Sequence, residues 1–454
     1  MGGPELITLG CRLNIAESEA MRALAKDEDD LVIINSCAVT AEAVRRTRQA
    51  IRRTHRARPD ARIVVTGCAA QTDPAMFAAM PEVSKVLGNR EKMEAASYIF
   101  PFGSSAVENG VRAQSRTGEA DDLGFARSDF STSLEANGFL SDSPKVQVSD
   151  IMAVRETAPQ LASAFAEHAR AFVEVQNGCD HRCTFCIIPF GRGNSRSAPA
   201  GAVVNATKAK VEQGYREIVL TGVDVTSYGP DLPGNQTLGT LIQRIFQQVP
   251  DLPRLRLSSI DSVEIDDRLF DLICNEPRLM PHLHLSLQSG DDMILKRMKR
   301  RHGRADAIRI VRKIKDKRPE VTIGADIIAG FPTETEAMFG NSLKLVEECD
   351  IVHGHIFPYS VREGTPAARM PQIAHATIKD RAKKLRMACE KRREAWLKSL
   401  IGSTQSVLVE RDGLTGHAEN FAPVRFRSPL PPAEIHSAAI VALENGVLIA
   451  QEAA

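Results

Sequence analysis

Three cysteines stand close together in the middle of the chain, at Cys179, Cys183 and Cys186. Their C-x3-C-x2-C spacing lets three thiolates reach one metal centre only if the backbone curls, and Gly178 and Pro189 favour such a loop. Structural zinc usually takes four ligands, and a four-iron cluster usually takes four cysteines. Three cysteines therefore predict a cluster with one iron open to a substrate. A structural zinc, or three unrelated thiols, is the alternative.

This spacing resembles that of the radical S-adenosylmethionine (radical-SAM) enzymes. The resemblance implies that the amino and carboxylate groups of SAM chelate the open iron. It also implies that an electron from the cluster cleaves SAM to give a 5′-deoxyadenosyl radical. Phe185, just before the third cysteine, matches the aromatic position that these enzymes place beside the adenine.

Composition sets the class of protein. The chain has 454 residues, enough for about three domains, with 43% hydrophobic and 25% charged residues. It contains no run of 18 apolar residues, and its first residues show no secretory signal. Nine cysteines in such a chain indicate metal or redox chemistry rather than disulfides. We therefore expect a cytoplasmic protein without a membrane span.

Residues 1–100 alternate strand-like and helix-like patterns. Short apolar runs separated by helical stretches predict a doubly wound α/β domain with a parallel sheet. The runs and the helical stretches lie, in chain order, at 6–9, 15–26, 31–34, 41–58 and 63–65.

Each of these apolar runs is followed by a cysteine: Cys11, Cys37 and Cys68. The carboxyl ends of parallel strands share one edge of a sheet, so the three thiols should meet there. We expect a second three-cysteine metal site, again with an open position. Three buried structural cysteines are the alternative, since cysteine is common in protein cores.

Residues 169–398 repeat a strand–helix unit six times and end in a basic helix. The repeat predicts a partial (β/α)6 barrel with its site at the carboxyl ends of the strands. The cysteine loop follows the first strand, where such a fold places its chemistry. We place the strands at 172–175, 218–223, 255–259, 283–288, 322–328 and 354–357.

Polar residues on these strands could contact SAM. Alternation along the fourth strand places His282, His284, Ser286 and Gln288 on the face toward the barrel interior. Each histidine could instead be a hydrogen-bonded lining residue, and each isolated acid a structural one. The predicted cofactor contacts are Phe185, Thr221, Gly222, Asp224, Ser286, Gln288 and Asp326.

Two further regions complete the chain. Residues 101–168 have weak periodicity and many Ser, Gly and Asp, which predicts a linker or insertion with one short helix at 159–170. Residues 402–454 read as a small all-β module that docks on the barrel. Its predicted strands lie at 405–409, 424–426 and 438–443.

Three basic stretches stand out in a chain whose net charge is +1. They lie at 45–58, 296–301 and 379–398; the last holds nine Lys or Arg and three Asp or Glu, so +6. A charge run can be only a solvated surface. Three such runs in a nearly neutral chain predict that at least one contacts RNA.

Four motifs together resemble the methylthiotransferase family of radical-SAM enzymes. They are Thr8-Leu9-Gly10-Cys11-x-x-Asn14 with Glu17-Ser18, Asn35-Ser36-Cys37, Thr66-Gly67-Cys68 and the C-x3-C-x2-C loop. The resemblance covers nearly the whole chain outside 101–150. It implies a second [4Fe–4S] cluster on Cys11, Cys37 and Cys68, which handles the transferred sulfur and methyl group. It also implies that SAM serves as both methyl donor and radical source, and that 402–454 corresponds to the family's small TRAM β-barrel.

Within the family, three segments are most similar to members that act on N6-threonylcarbamoyladenosine in tRNA. They are 190–196, 258–261 and 357–369. The resemblance implies replacement of the C2 hydrogen of this adenosine, at position 37, by a methylthio group. Arg192 and Arg196 are our candidates to bind the threonylcarbamoyl carboxylate bidentately.

The charge of the last module argues against a tRNA substrate. Residues 402–454 hold three basic and six acidic residues, so −3, which is more like the relative that modifies an aspartate of a ribosomal protein. The sequence also leaves open action on isopentenyladenosine in tRNA, and a non-catalytic iron–sulfur protein that binds RNA or carries electrons. The implied partners are the tRNA anticodon loop, a flavodoxin- or ferredoxin-like electron donor, and a sulfur donor that the sequence does not identify.

Overall fold

The structure is a computed structural model and describes residues 3–100, 144–157 and 168–452. These residues form an N-terminal α/β domain, a central barrel and a C-terminal β-barrel, packed against one another. In this part of the chain, no helix combines the length and the apolar character needed to cross a membrane.

The N-terminal domain is a five-stranded parallel sheet whose strand order follows the chain order. Helices cover both faces: Ile33 packs in one cluster with Met21, and Ile34 packs in another with Ile51. All six residues of the second strand are therefore buried. The elements are β1 Glu5–Thr8, α1 Arg12–Leu24, β2 Leu31–Ser36, α2 Ala41–Ala57, β3 Arg62–Gly67, α3 Cys68–Thr72, α4 Pro74–Ala78, β4 Lys85–Leu87 and β5 Val146–Gln147.

The central barrel is made of two four-stranded sheets, in the orders β7-β6-β8-β9 and β10-β11-β12-β13. All pairs within them are parallel except the short edge pair β6–β7. The elements are β6 Ala171–Asn177, α5 Ile188–Arg192, β7 Arg196–Ser197, α6 Ala200–Glu212, β8 Glu217–Gly222, α7 Leu238–Gln248, β9 Arg254–Leu257, β10 Ser259–Ile260, α8 Asp267–Asn275, β11 His282–Gln288, α9 Asp292–Arg297, α10 Arg304–Lys317, β12 Thr322–Ala329, α11 Glu336–Glu348, β13 Ile351–Pro358 and α12 His375–Ser399.

The strand β11 shows how the barrel separates its two faces. Leu283, Leu285 and Leu287 are buried in the same core as Val311 and Ile314 of α10. The alternate residues of β11 are therefore free to face the interior, as the sequence predicts.

The C-terminal module is a closed five-stranded barrel in the order β14-β15-β16-β18-β17. Its core includes Leu397, so the end of α12 packs into it. Three of its acidic residues form ion pairs with arginines of the central barrel: Arg170–Glu410, Arg216–Glu434 and Arg254–Glu419. The strands are β14 Thr404–Val409, β15 Thr415–Ala418, β16 Pro423–Phe426, β17 Ile435–Glu444 and β18 Val447–Glu452.

The structure differs from the sequence prediction in several places, and one prediction lies mostly outside the described residues. Part of the expected linker, Val146–Gln147, is a fifth strand of the N-terminal sheet and pairs with β4. The third predicted barrel strand is two short strands, divided at Ser258, that pair with different sheets. The strands β15 and β18 were not predicted. The helix predicted at 159–170 lies mostly outside the described residues.

Candidate functional site

The barrel cysteines lie on the loop that follows β6. Gly178 has a φ of 73°, and a Cβ placed on it would come within 1.9 Å of the Asn194 carbonyl oxygen, so only glycine fits this turn. Backbone hydrogen bonds hold the loop at Cys179 N–Gly193 O (3.1 Å) and Thr184 N–Met298 O (3.1 Å). The curl inferred from the sequence is therefore present and is fixed from several sides.

Polar groups surround the first of these cysteines. The Asp224 carboxylate lies 3.7 Å from the Cys179 sulfur, and its other neighbour is His181, whose Nε2 is 2.9 Å away. Hydrogen bonds to Asp224, and then to Glu264, raise the pKa of His181 to about 10. The backbone N–H of Asp224 donates to Gln176 Oε1 at 2.8 Å, which fixes the acid beside the loop. Asp224 is thus the predicted cofactor contact that lies directly at a cysteine.

The N-terminal cysteines lie at three strand ends, as the sequence predicts. Cys11 immediately precedes α1 and Cys68 begins α3. Gly10, with a φ of 120°, lies against Cys37: a Cβ there would be 2.9 Å from the Cys37 Cβ. Burial raises the pKa of Cys37 to about 11, and the nearby thiols of Cys68 and Cys11 contribute. The three thiols therefore share one edge of the sheet.

The spacing of the thiols separates a cluster from a single ion. Among the described residues, the groups whose ligand atoms all lie within 4.8 Å of one another are Cys179–His181–Asp224 and His284–Asp326–His355. Neither cysteine triad is that tight. Neither triad is therefore a preformed site for a single zinc ion, which needs its ligand atoms close together.

A buried arginine joins the two triads. Arg192 lies at the end of α5, shortly after the barrel cysteines, and its side chain is about 2% exposed. Its Nε donates to the Cys68 sulfur at 3.1 Å. Its two terminal nitrogens donate to both oxygens of the Glu17 carboxylate, and one of them also donates to Asn14 Oδ1 at 2.7 Å.

A lysine completes this network. Lys92 Nζ lies 2.7 Å from Glu17 Oε2, and both side chains are buried. Burial alone would raise the pKa of Glu17, but the charges of Arg192 and Lys92 outweigh it and lower the pKa to about 2. The carboxylate therefore stays ionised between two cations.

The backbone of Gly191, next to Arg192, also contacts the N-terminal triad. A Cβ on Gly191 would be 3.3 Å from the Cys68 Cβ, so this glycine allows α5 and α3 to approach closely. Asn89 of the N-terminal domain donates to the Gly191 carbonyl. Burial raises the pKa of Cys186 to about 12, and Cys68 contributes to that shift. Cys68 and Cys186, one from each triad, therefore lie near enough for the charge of Cys68 to act on Cys186.

The other predicted cofactor contacts have varied surroundings. Phe185 packs edge-on against Phe331, with ring centroids 6.4 Å apart. A Cβ on Gly222 would lie 2.6 Å from the Gln176 carbonyl oxygen, while Thr221 is buried beside it. Gln288 has a φ of 66°, a strained backbone at the carboxyl end of β11. The Ser286 carbonyl accepts a hydrogen bond from Arg300 at 2.8 Å.

Asp326 lies within a histidine network inside the barrel. Its Oδ1 is 2.9 Å from His284 Nε2 and 3.3 Å from His355 Nδ1. Nearby, Phe421 of the C-terminal module has ring centroids 4.9 Å from His282 and 4.6 Å from His417. The sequence analysis allowed Asp326 to be either a cofactor contact or a hydrogen-bonded structural acid. The structure shows that it is hydrogen-bonded to His284.

The structure gives other partners to the two arginines that were predicted to bind substrate. The Arg192 guanidinium is engaged by Glu17 and Cys68. Arg196 is 5% exposed, and its terminal nitrogens donate to the Arg192 and Asn194 carbonyls at 2.8–3.1 Å. Burial and these bonds argue against either guanidinium reaching a substrate carboxylate.

Sequence reasoning missed the contacts between the side chains that fix this site. The residue pair Glu17–Arg192 is separated by 175 positions, so no local pattern links its members. Arg300, in the second basic stretch, lies 3.8 Å from the Cys183 sulfur and 2.8 Å from Asp261 Oδ2. The sequence signal for Arg300 was its place in a basic stretch, and Glu17 and Arg192 stood in family motifs that do not show that they bind each other.

Family comparisons match two regions of the chain. The Radical SAM superfamily matches residues 173–346, and the family described as "Uncharacterized protein family UPF0004" matches residues 5–88. The first region contains the barrel cysteines and the second contains the N-terminal cysteines. The Radical SAM superfamily implies SAM and one [4Fe–4S] cluster, and the cysteine loop offers the three ligands it needs.

Three curated relatives extend the match along the chain. A threonylcarbamoyladenosine tRNA methylthiotransferase of Rickettsia prowazekii is 47% identical and covers 98% of this chain and 96% of its own length. A protein of the same name from Bacillus subtilis is 33% identical, over 82% of this chain and 77% of its own length. A tRNA-2-methylthio-N(6)-dimethylallyladenosine synthase of Erythrobacter litoralis is 31% identical, over 89% and 86%.

Proposed function

Because the chain belongs to the methylthiotransferase family of radical-SAM enzymes, we propose that it acts on N6-threonylcarbamoyladenosine in tRNA. It replaces the C2 hydrogen of this nucleoside, at position 37 beside the anticodon, by a methylthio group and uses two SAM per turnover. The observation that carries the proposal is the close contact of Gly191, five residues after the barrel triad, with Cys68 of the N-terminal triad. If each triad holds a cluster, the two would lie close together, which suits a reaction that needs both a radical and a sulfur donor.

We assign a [4Fe–4S] cluster to each triad. Cys179, Cys183 and Cys186 would hold the one that binds SAM, and when bound this group supplies the electron that cleaves SAM. Cys11, Cys37 and Cys68 would hold the second. The support for the second cluster is the donor set, the wide thiol spacing, and the arginine N–H that meets the Cys68 sulfur.

The chain's own residues position these groups. Asp224 and His181 form a polar wall beside Cys179, where the amino group of SAM would find a carboxylate. Phe185 offers an aromatic face that packs on Phe331 and so holds its orientation. The remaining SAM contacts that we propose are Thr221, Gly222, Ser286, Gln288 and Asp326.

We propose Arg362 as the group that binds the threonylcarbamoyl carboxylate. It follows β13, and its Nε and one terminal nitrogen are buried with no hydrogen-bond partner among the described residues. Cys37 is close enough to affect the pKa of Arg362, which burial lowers. A carboxylate that accepts two hydrogen bonds from this planar fork would satisfy both nitrogens.

The RNA itself is proposed to lie on two basic helices. On α2, Arg48, Arg52, Arg53 and Arg56 are exposed, and on α12 Lys379, Lys383 and Lys391 are exposed. The anticodon loop would splay its base toward the triads, where stacking and hydrogen bonds to the base edges read it. A small flavodoxin- or ferredoxin-like protein would supply electrons, in the cytoplasm.

Nucleoside mass spectrometry of tRNA tests this function directly. The anaerobically reconstituted enzyme, with SAM, a strong reductant and sulfide, should add a methylthio group to tRNA that carries threonylcarbamoyladenosine. The same tRNA without the threonylcarbamoyl group should be a poor substrate, and Arg362→Lys should reduce that discrimination. Arg369→Lys, on the exposed part of the same loop, is the matched control.

Two other substrates serve as competing outcomes. Modification of isopentenyladenosine tRNA instead would favour the specificity named for the Erythrobacter litoralis relative. Methylthiolation of a ribosomal protein, with the tRNA untouched, would mean that the acidic C-terminal module was the better guide.

A further inference from the structure

Arg192 is part of the barrel in the sequence, but its side chain contacts the N-terminal triad. It follows Cys186 by six residues, yet its guanidinium lies among Cys68, Glu17 and Asn14 of the other domain. A long charged side chain that is about 2% exposed is rare unless it is paired. Its pairing therefore needs an explanation beyond packing.

The geometry directs one N–H of Arg192 at a sulfur. Both oxygens of the Glu17 carboxylate accept bonds from the terminal nitrogens of Arg192. This fork-to-fork arrangement fixes the guanidinium plane, and the remaining Nε–H is left to point at the Cys68 sulfur, 3.1 Å away. Lys92 holds Glu17 from the other side.

The balance of charge around Cys68 is positive. Arg192 and Lys92 supply two positive charges against one negative charge from Glu17, and all three side chains are buried. Hydrogen bonds to the cysteine sulfurs and the net charge nearby are two of the factors that set the reduction potential of an iron–sulfur cluster. Both favour the reduced form, which carries one more negative charge.

The barrel triad lacks an equivalent group among the described residues. Arg300 is its nearest comparable cation, at 3.8 Å from the Cys183 sulfur. Arg300 and Arg301 face Asp261 and Glu264, so two positive charges meet two negative charges here, whereas two positive charges meet one beside Cys68. The two sites therefore differ in their electrostatic surroundings.

We propose that Arg192 is a positioning residue that raises the reduction potential of the cluster on Cys11, Cys37 and Cys68, through the Nε–H···Sγ bond to Cys68. This inference rests on the proposed second cluster. The proposal attributes a difference in reduction potential between the two clusters to Arg192, which the barrel contributes to the N-terminal site.

Redox titration followed by electron paramagnetic resonance tests the proposal. The parent is the full-length chain with Cys179, Cys183 and Cys186 changed to Ala, so that only the N-terminal cluster is observed. In this parent, Arg192→Gln should make the midpoint potential more negative, with a change of about tenfold or more in the reduction equilibrium, or about 59 mV for one electron. Arg192→Lys keeps the charge but loses the fork, so it should cause a smaller negative shift.

A second variant makes the test independent of folding losses. Glu17→Gln removes the negative charge, while its amide oxygen can still accept a hydrogen bond from one terminal nitrogen of Arg192. The positive charge beside Cys68 is then less balanced, so the midpoint should move in the positive direction. Arg318→Gln is the matched control, because this arginine binds the backbone carbonyls of Ile273, Glu276 and Leu279, away from both triads, and it should leave the potential unchanged.

The outcomes separate the two proposals. A parent that holds no cluster would overturn the second cluster and this inference with it. A parent with a cluster whose potential does not move in opposite directions in Arg192→Gln and Glu17→Gln would overturn this inference alone. If Arg192→Gln cannot retain its cluster, the signs for Arg192→Lys and Glu17→Gln still decide.

Discussion

The barrel triad and the N-terminal triad present the same three thiols, yet they are assembled in different ways. The barrel cysteines come from one loop of eight residues, shaped by Gly178 and held by backbone hydrogen bonds. The N-terminal cysteines come from three strand ends, so the whole sheet must form before they meet.

The two sites also differ in what completes them. The barrel loop finds its polar neighbours, such as Asp224, within its own domain. The N-terminal triad receives Arg192 from the barrel and is closed by the Gly191 backbone. A local site can be assembled by its own domain, whereas the distributed site depends on the docking of two domains.

The largest expected effect comes from removing either triad. Changing Cys179, Cys183 and Cys186 to Ala should leave about four of about eight irons per chain and abolish SAM cleavage, because Ala offers no ligand. Changing Cys11, Cys37 and Cys68 should also leave about half of the iron, with SAM cleavage retained and methylthio product lost. Iron analysis and quantification of 5′-deoxyadenosine measure both.

The control for this experiment is Cys274→Ala, a buried cysteine outside both triads. It should keep the full iron content. Unchanged iron content in either triple variant, or zinc in place of iron, would contradict the assignment of one cluster to each triad.

Single glycine changes should break one site at a time. Gly178→Ala forces a Cβ to 1.9 Å from a backbone oxygen, and Gly10→Ala forces one to 2.9 Å from Cys37, both at positive φ. A strained backbone of this kind costs on the order of 1–3 kcal/mol, before any overlap. We expect Gly178→Ala to lose iron and SAM cleavage, and Gly10→Ala to lose iron but keep SAM cleavage.

The helical Gly201 provides the matched control, because a Cβ there meets nothing within 4 Å. Gly201→Ala should keep all iron and fold at least as stably as the parent, by up to about 1 kcal/mol. Loss of both activities together in Gly10→Ala would show that the two sites are not separable in this way.

A smaller effect is expected from the basic helices that accompany the two sites. The structure pairs Lys384 with Asp380 and Arg392 with Asp350, so the better choices on α12 are Lys379, Lys383 and Lys391. Changing these three to Glu should weaken tRNA binding. Removal of each interaction with a phosphate should flatten the slope of log affinity against log salt by roughly 0.7–0.9.

The equivalent change on α2 is Arg48, Arg52 and Arg56 to Glu, which tests whether the N-terminal domain also docks the RNA. Lys208→Glu, on the exposed face of α6, controls for a change of net charge alone. If neither triple variant changes the salt slope, both helices are only solvated surfaces.

The smallest expected effect concerns the barrel cluster. Arg300 is farther from its sulfur than Arg192 is, 3.8 Å against 3.1 Å, and it is already paired with Asp261. In a chain with Cys11, Cys37 and Cys68 changed to Ala, Arg300→Gln should shift the midpoint potential by less than Arg192→Gln shifts that of the other cluster. An equal or larger shift would contradict the proposed asymmetry.

Much of this arrangement can be predicted from the sequence, because it depends on local patterns. The C-x3-C-x2-C loop, the strands before Cys37 and Cys68, and the leucine face of β11 all follow from spacing and alternation. Even the meeting of three distant thiols follows, since parallel strands end at one edge.

The partners of buried charges could not be predicted in the same way. The sequence singles out Arg192 as a candidate site residue, but a substrate carboxylate was inferred where Glu17 actually binds. The packing of the two domains determines which acid pairs with a buried arginine. The spacing of residues in the sequence does not show how the domains pack. The unpaired guanidinium nitrogens of Arg362 were missed for the same reason.

The ion pairs at the base of the barrel change how the acidic C-terminal module should be understood. Three of its six acidic residues face arginines of the barrel, so half of its negative charges are matched within the protein and are weaker evidence for a protein substrate. The charges of this module therefore match those of the barrel on which it docks. Grafting it onto a relative that lacks Arg170, Arg216 and Arg254 would leave carboxylates without counter-ions, and chimeras should exchange the arginines and the module together.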